Sequence, residues 1–484
     1  FSQNKLPDGF PLPGSAAYKS AWTQVIKAAE DANEPGRFTA IIGYEWTSNE
    51  KGNNLHRNVL FREDGEQAGK VEPFTTLAPL GSGNPEDLWK WMDMAEAKSG
   101  SQILAIAHNG NLSNGRMFPS SEVYGGKPID KAYIETRAKR EKLYEITQIK
   151  GDGETHPTLS PTDEFANFER LDVGNLDLSE AKTPAMLEHE YAREALKNGL
   201  KLDQQFGANP YKFGLIGSTD SHTGLATGDE NNFFGKASNM EPNPKRLTKD
   251  FFRNFKSNLH IKEWQLSASG YAAVWAGENT RAAIFDAMQR KETYATTGPR
   301  MTVRFFGGWD FNAADAQAEV PARAGYAKGV PMGGDLSKAP AGKAPSFLVA
   351  AMKDPMGANL DRIQIIKGWL DAKGETHEQV YDVVWADADQ RKQGKDGKLP
   401  AVGNTVDVAN ASWTNSIGDS DLITVWSDPQ FDPAQSAFYY ARVIEIPTPR
   451  WSAYDARHFG LTPDKDVLMT LQERAYTSPI WYTP

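Results

Sequence analysis

Residues 38–47 read FTAIIGYEWT, a nearly continuous apolar run that leads into a carboxylate at Glu45. An apolar run without alternation is the pattern of a strand buried on both faces, as in a sheet covered by helices. Residues 55–61 (LHRNVLF), 102–107 (QILAIA) and 213–217 (FGLIG) repeat it, and 144–149 reads as a further strand. Helical patterns lie between them. Trp22, Val25, Ile26 and Ala29 recur at the helical period, and Pro35-Gly36 closes that helix. Thr183 and Pro184 open another as N-cap and first residue, with Gly199 ending it, and a third runs from near Thr280 to Arg290. This alternation over 15–290 predicts an α/β domain with a largely parallel sheet.

After Gly298-Pro299 the texture changes to short alternating strands, such as 302–306 and 362–367, separated by Gly and Pro clusters. The expected organisation is an α/β unit over 1–298 and a β-rich module over 299–484. Pro299-Arg300 also reads as the start of a strand within one compact unit. Aromatic residues make up 11% of the 484, too large an apolar payload for a disordered chain. The net charge of −10, from 53 basic and 63 acidic residues, argues against the basic stripe that nucleic acid requires. No apolar run reaches the roughly 18 residues of a membrane span. Cysteine is absent, which removes thiolate chemistry, leaves any metal to His, Asp and Glu, and suits an oxidising compartment.

The suggestive polar residues cluster where strands end, the place where parallel α/β sheets carry their sites. The first strand runs into Glu45, the third into His108-Asn109-Gly110-Asn111, and a later one into Asp220-Ser221-His222. An Asp-x-His pair on a tight turn can point both side chains at one ion, with ligand atoms about 2.0–2.2 Å from zinc. His56, in the second strand, can join them. Carboxylates with imidazoles suit Zn, Mn or Fe better than Ca. Arg116 stands close enough after His108 to grip an anionic group, or is a surface arginine. Asp152, Glu154 and His156 either face substrate or form a solvated acidic turn. Glu145 either orients a ligand histidine or touches a metal. His189, His260, His377 and His458 fall outside the strand-tip set and read as solvated or structural residues.

The strings GYEWTS (43–48), HRNVLF (56–61), AHNGNLSNG (107–115), YEITQIKGDGETHP (144–157), GSTDSH (217–222), TYATTGPR (293–300) and SPIWY (478–482) together resemble the family called domain of unknown function 3604. That family is similar to the PHP (polymerase and histidinol phosphatase) metallohydrolases. The resemblance implies a distorted (β/α)7 barrel with two or three divalent metals at the C-terminal strand ends. It implies Glu45 as a metal-bridging carboxylate and His56, His108, Asp220 and His222 as further ligands. Family members often carry export signals, so a periplasmic or secreted home is expected.

The expected activity is hydrolysis of a small anionic substrate, a phosphate ester, by a metal-bridging hydroxide. Glu45 would hold that nucleophile, and Arg116 and His156 would position substrate oxygens or protonate the leaving group. The family's opening H-x-H and D-H-x-E segments have no counterpart in this sequence. The barrel is therefore expected to be incomplete at its N-terminus, with roughly 80–150 residues and at least two more histidines upstream of Phe1. The rival expectation is a non-catalytic binding or structural protein built on an inherited barrel.

Overall fold

The computed structural model describes residues 9–395 and 397–484. The helix read from Trp22 and its partners is α1 (Ala16–Ala32), capped by Ser15, whose side chain accepts from the Tyr18 amide. Trp22 is buried and its indole N–H donates to the Ala68 carbonyl at 3.2 Å.

The first sheet is built from β1 (Gly43–Trp46), β2 (Arg57–Phe61), β3 (Ile103–His108), β4 (Leu143–Gln148) and β5 (Gly214–Gly217), in that spatial order, with Gly151–Asp152 added to β4. Every residue of β3, β4 and β5 is buried, as their unbroken apolar runs require. Two expectations need correction. The sheet is not largely parallel: β1–β2 and β2–β3 are antiparallel, and only β3–β4 and β4–β5 are parallel. Among the described residues the strand path is open and does not close into a barrel. The first strand is also shorter than its apolar run, starting at Gly43 and leaving Phe38 58% exposed.

Helices α2 (Pro85–Ser99) and α3 (Lys131–Arg140) lead into β3 and β4. Thr183 and Pro184 do begin a helical turn, but it ends at Leu187, and α4 (Ala192–Phe206) follows. Gly199 lies inside α4, where a Cβ would come within 2.3 Å of Asn209 Oδ1; it is a packing glycine and not a stop. The residue that closes α4 is Gly207, at φ +73°. The third expected helix is α5 (Arg281–Gln289), with the Thr280 hydroxyl accepting from the Ala283 amide.

The C-terminal half is β-rich. Its four-stranded sheet contains Thr302–Gly308, and its eight-stranded sheet is centred on Leu360–Leu370 and Ala437–Glu445. That larger sheet also takes in Tyr271–Val274 and Thr293–Thr296, which precede residue 298. Pro299 thus leads from one sheet into the next, and the larger sheet draws strands from both sides of residue 298. Side chains fasten the seam: Thr293 Oγ1 donates to the Leu215 carbonyl at 3.0 Å, and the Leu215 amide donates to Ser478 Oγ at 2.9 Å. These bonds satisfy the Leu215 backbone groups on the edge of β5 that faces away from β4.

A buried ionic hub ties the same halves together. Arg193 on α4 donates to Asp163 at 2.8 Å and to Glu378 at 3.1 Å, and pairs with Glu154. Arg442 donates to Glu154 at 2.9 Å and Asp163 at 2.7 Å, and the Tyr440 hydroxyl donates to Glu154 at 2.5 Å. Asp152, Glu154 and His156 are all buried, so this stretch is not a solvated acidic turn, and the Glu154 carboxylate belongs to the hub.

A second buried group is acidic. Glu230 accepts from the Trp451 amide, and Glu473 accepts from the Thr297 hydroxyl. Burial, with the neighbouring Glu169 carboxylate, pushes Glu230 up to about 8, and burial with Glu230 raises Glu473. Native Glu230 keeps a proton that an unfolded chain releases near pH 4.3, so stability falls as pH rises from there through about 8. Glu230→Gln is expected to recover on the order of 1 kcal/mol of that loss, read as a smaller decline in the unfolding midpoint between pH 6 and 9.

Candidate metal centre

The antiparallel pairing of β1 and β2 puts the end of one beside the start of the other, so Glu45 and His56 meet at one end of the sheet. His108, the last residue of β3, joins them there. His56 therefore precedes its strand and does not lie within it. Glu45 Oε1 lies 2.8 Å from His56 Nδ1 and 3.1 Å from His108 Nε2, and His56 Nε2 lies 2.8 Å from Asn49 Oδ1. The two imidazoles meet edge to face at 5.5 Å. Ligand atoms of all three residues lie within 4.8 Å of one another, and among the described residues this is the one group of its kind.

Burial works to raise the Glu45 carboxyl, but hydrogen bonds from His108 and His56 outweigh it and hold the carboxyl well below the usual range. Burial pushes the His56 imidazole down to about 4, in spite of the opposing pull of Glu45. A carboxylate kept ionised beside a neutral imidazole is the protonation state that a divalent cation needs. Buried atoms without protein partners adjoin the cluster, namely His108 Nδ1 and Glu145 Oε1. Glu145 sits beside His108 across the β3–β4 ladder, and its other oxygen accepts from Ser218 Oγ at 2.5 Å. Imidazole and carboxylate donors with unmet capacity fit Zn, Mn or Fe.

The Asp-x-His pair is placed differently from expectation. Asp220 follows β5 in a left-handed conformation, φ +49°, which Asp tolerates better than most residues. Its carboxylate is taken by the ammonium groups of Lys150 and Lys236. Burial opposes ionisation there, and the two lysines overcome it and hold the carboxyl below its ordinary range. His222 is 52% exposed, and its Nδ1 lies 3.0 Å from both the Asp220 carbonyl and Lys236 Nζ. Asp220 and His222 thus share a cavity with Glu45 and His56 without joining their cluster: the opposite charges of Lys150 and Lys236 hold Asp220, and His222 lies against Lys236.

The remaining expected residues stand apart. Arg116 lines a different cavity and lies 3.5 Å from Glu50. At His156 the Thr158 amide donates to Nδ1, and Nε2 lies 2.9 Å from Asp172 and 3.0 Å from Arg170, so both nitrogens are engaged. His189, His260, His377 and His458 lie outside the cluster. The sequence reading missed the two lysines. Lys150 had a signal, since it directly follows the strand read at 144–149, whereas Lys236 is brought in by a loop that carries no pattern.

A family described as "Protein of unknown function (DUF3604)" matches residues 4–484. The chain belongs to the DUF3604 family. No curated protein and no solved structure matches it. Of the DUF3604 resemblance strings, those around 45, 56 and 108 build the candidate metal centre. Those around 293 and 478 build the seam between the sheets through Thr293 and Ser478. Among the described residues no helix is long and apolar enough to cross a membrane.

Proposed function

We propose that this protein is a PHP-like metal-dependent hydrolase acting on small anionic esters, phosphate esters foremost, in the periplasm or outside the cell. The observation that carries the reading is the convergence of Glu45, His56 and His108 on one point at the sheet's end. These three residues would hold a divalent Zn, Mn or Fe ion, with Glu145 behind His108. Such an ion supplies Lewis acidity toward a phosphoryl oxygen and toward water near neutral pH. The rest falls to the chain's own side chains. Lys150 and Lys236 carry one positive charge more than Asp220 neutralises, so an incoming oxyanion finds two ammonium donors in the cavity. Burial, reinforced by Lys150, brings Lys236 down to about 8, within reach of proton donation to a leaving oxygen.

The second reading is a non-catalytic binding or structural protein. It is favoured by the engagement of Arg116 and His156 elsewhere, which removes two of the expected substrate-handling groups.

The protein, loaded with Mn or Zn, is to be assayed against phosphate mono- and diesters. Turnover that chelation abolishes and added metal restores is the expected result. Metal-loaded protein that is silent across the panel would remove phosphoester chemistry.

A further inference from the structure

The cavity beside Glu45 and His56 has a volume of about 360 Å³, the scale of a small-molecule site. Its polar part holds Lys150 and Lys236 with Glu45, Thr47, His56, Asp220 and His222, while Leu112, Leu171, Leu176, Phe251, Phe252 and Ile261 supply an apolar wall. A substrate that was polar throughout would leave its hydroxyls unpaired against such a wall.

The two phenylalanines are brought there by a specific device. They lie on β6 (Asp250–Arg253), which pairs antiparallel with β7 (His260–Lys262) to form a two-stranded ribbon. Neighbours on a regular strand point to opposite faces. The register slips between Asp250 and Phe252, and such an irregularity re-aims side chains next to a site. Both Phe251 and Phe252 consequently line the cavity. Phe251 packs on the buried cluster containing Leu112, Leu171 and Ile261, whereas Phe252 stays 41% exposed. A half-exposed ring lining a pocket that also carries convergent polar groups is available to a ligand's apolar part.

Building on the proposed hydrolase reading, we infer that the substrate is an anionic ester whose alcohol moiety is apolar and ring-sized, such as an aryl ester, with Phe252 as its specificity-determining contact. The oxyanion lies toward Lys150 and Lys236. The ring lies on the apolar wall and covers Phe252.

The test is binding and needs no turnover. Metal-loaded full chain is titrated calorimetrically with two non-hydrolysable probes, benzylphosphonate and 3-hydroxypropylphosphonate. The aryl probe is expected to bind at least about 10-fold more tightly. Phe252→Ser is expected to erase that preference while leaving the affinity for hydroxypropylphosphonate and the metal content unchanged, and Phe252→Leu to retain most of it. Equal affinity for the two probes, failure of both to bind, or an unchanged preference in Phe252→Ser would each overturn the inference. Tight aryl binding without hydrolysis of any ester would sustain the cavity's preference for an apolar ring at Phe252 and remove the hydrolase reading. Hydrolysis accompanied by a preference for the polar probe would do the reverse.

Discussion

Arg442→Met should destabilise the protein by about 3–5 kcal/mol, the usual cost of removing one partner from a buried ion pair. Arg442 is fully buried and donates to Glu154, Asp163 and Gln364, so its loss leaves two buried carboxylates with one arginine, Arg193, in place of two. Because Glu154 and Asp163 come from one half of the chain and Arg442 from the other, the damage should appear as lowered unfolding cooperativity between the sheets as well as a lowered midpoint. The effect depends on pH. Burial tends to raise both carboxyls, and Arg193 and Arg442 together hold them below their ordinary range. The native state thus binds fewer protons than the unfolded chain, whose carboxyls titrate near pH 4. The hub's contribution is present above that pH and is lost as pH falls through the depressed native values. Denaturant melts of Arg442→Met and wild type should therefore differ most near neutrality and begin to draw together only as pH falls below about 4, toward the depressed native values. A difference under about 1 kcal/mol at pH 7 would show that the hub is not holding the halves together.

Glu45→Gln should weaken metal binding by more than the roughly 10–100-fold that follows loss of an outer hydrogen-bond partner, because it removes the one anionic ligand. The shape is conserved and a glutamine amide can still bond to His56 or His108, so metal-free stability should change by less than about 1 kcal/mol. Competition against a chelating dye reads the first quantity and a thermal melt the second. Unaltered affinity would move the metal away from Glu45.

Much of the fold is legible in the sequence because it rests on local pattern. The unbroken apolar runs at 102–107 and 144–149 mark fully buried strands, and the Thr280 cap marks α5. Glu45 and His108 are visible because each sits where an apolar run stops. Strand direction is not legible: with only a short connection between Trp46 and Arg57, an antiparallel return is the economical solution, yet either run alone looks the same in both senses. Gly199 resembles a helix stop because a packing glycine and a capping glycine are identical in sequence, and only the proximity of Asn209 separates them. His156 and Arg116 attract a functional reading through nearness in sequence to the motifs, whereas Asp172 and Glu50 decide where they point. Glu154 misleads for a related reason, since its partners Arg193 and Arg442 are remote in the chain.

The most direct test of the metal centre is elemental analysis of purified protein after equilibration with Zn or Mn and removal of free ions. Wild type should retain at least one equivalent of transition metal, and Glu45→Gln, His56→Ala and His108→Ala should each lose it while His156→Ala does not. Wild type retaining less than one equivalent, or the three variants retaining as much as wild type, would contradict the assignment of Glu45, His56 and His108 as a metal centre.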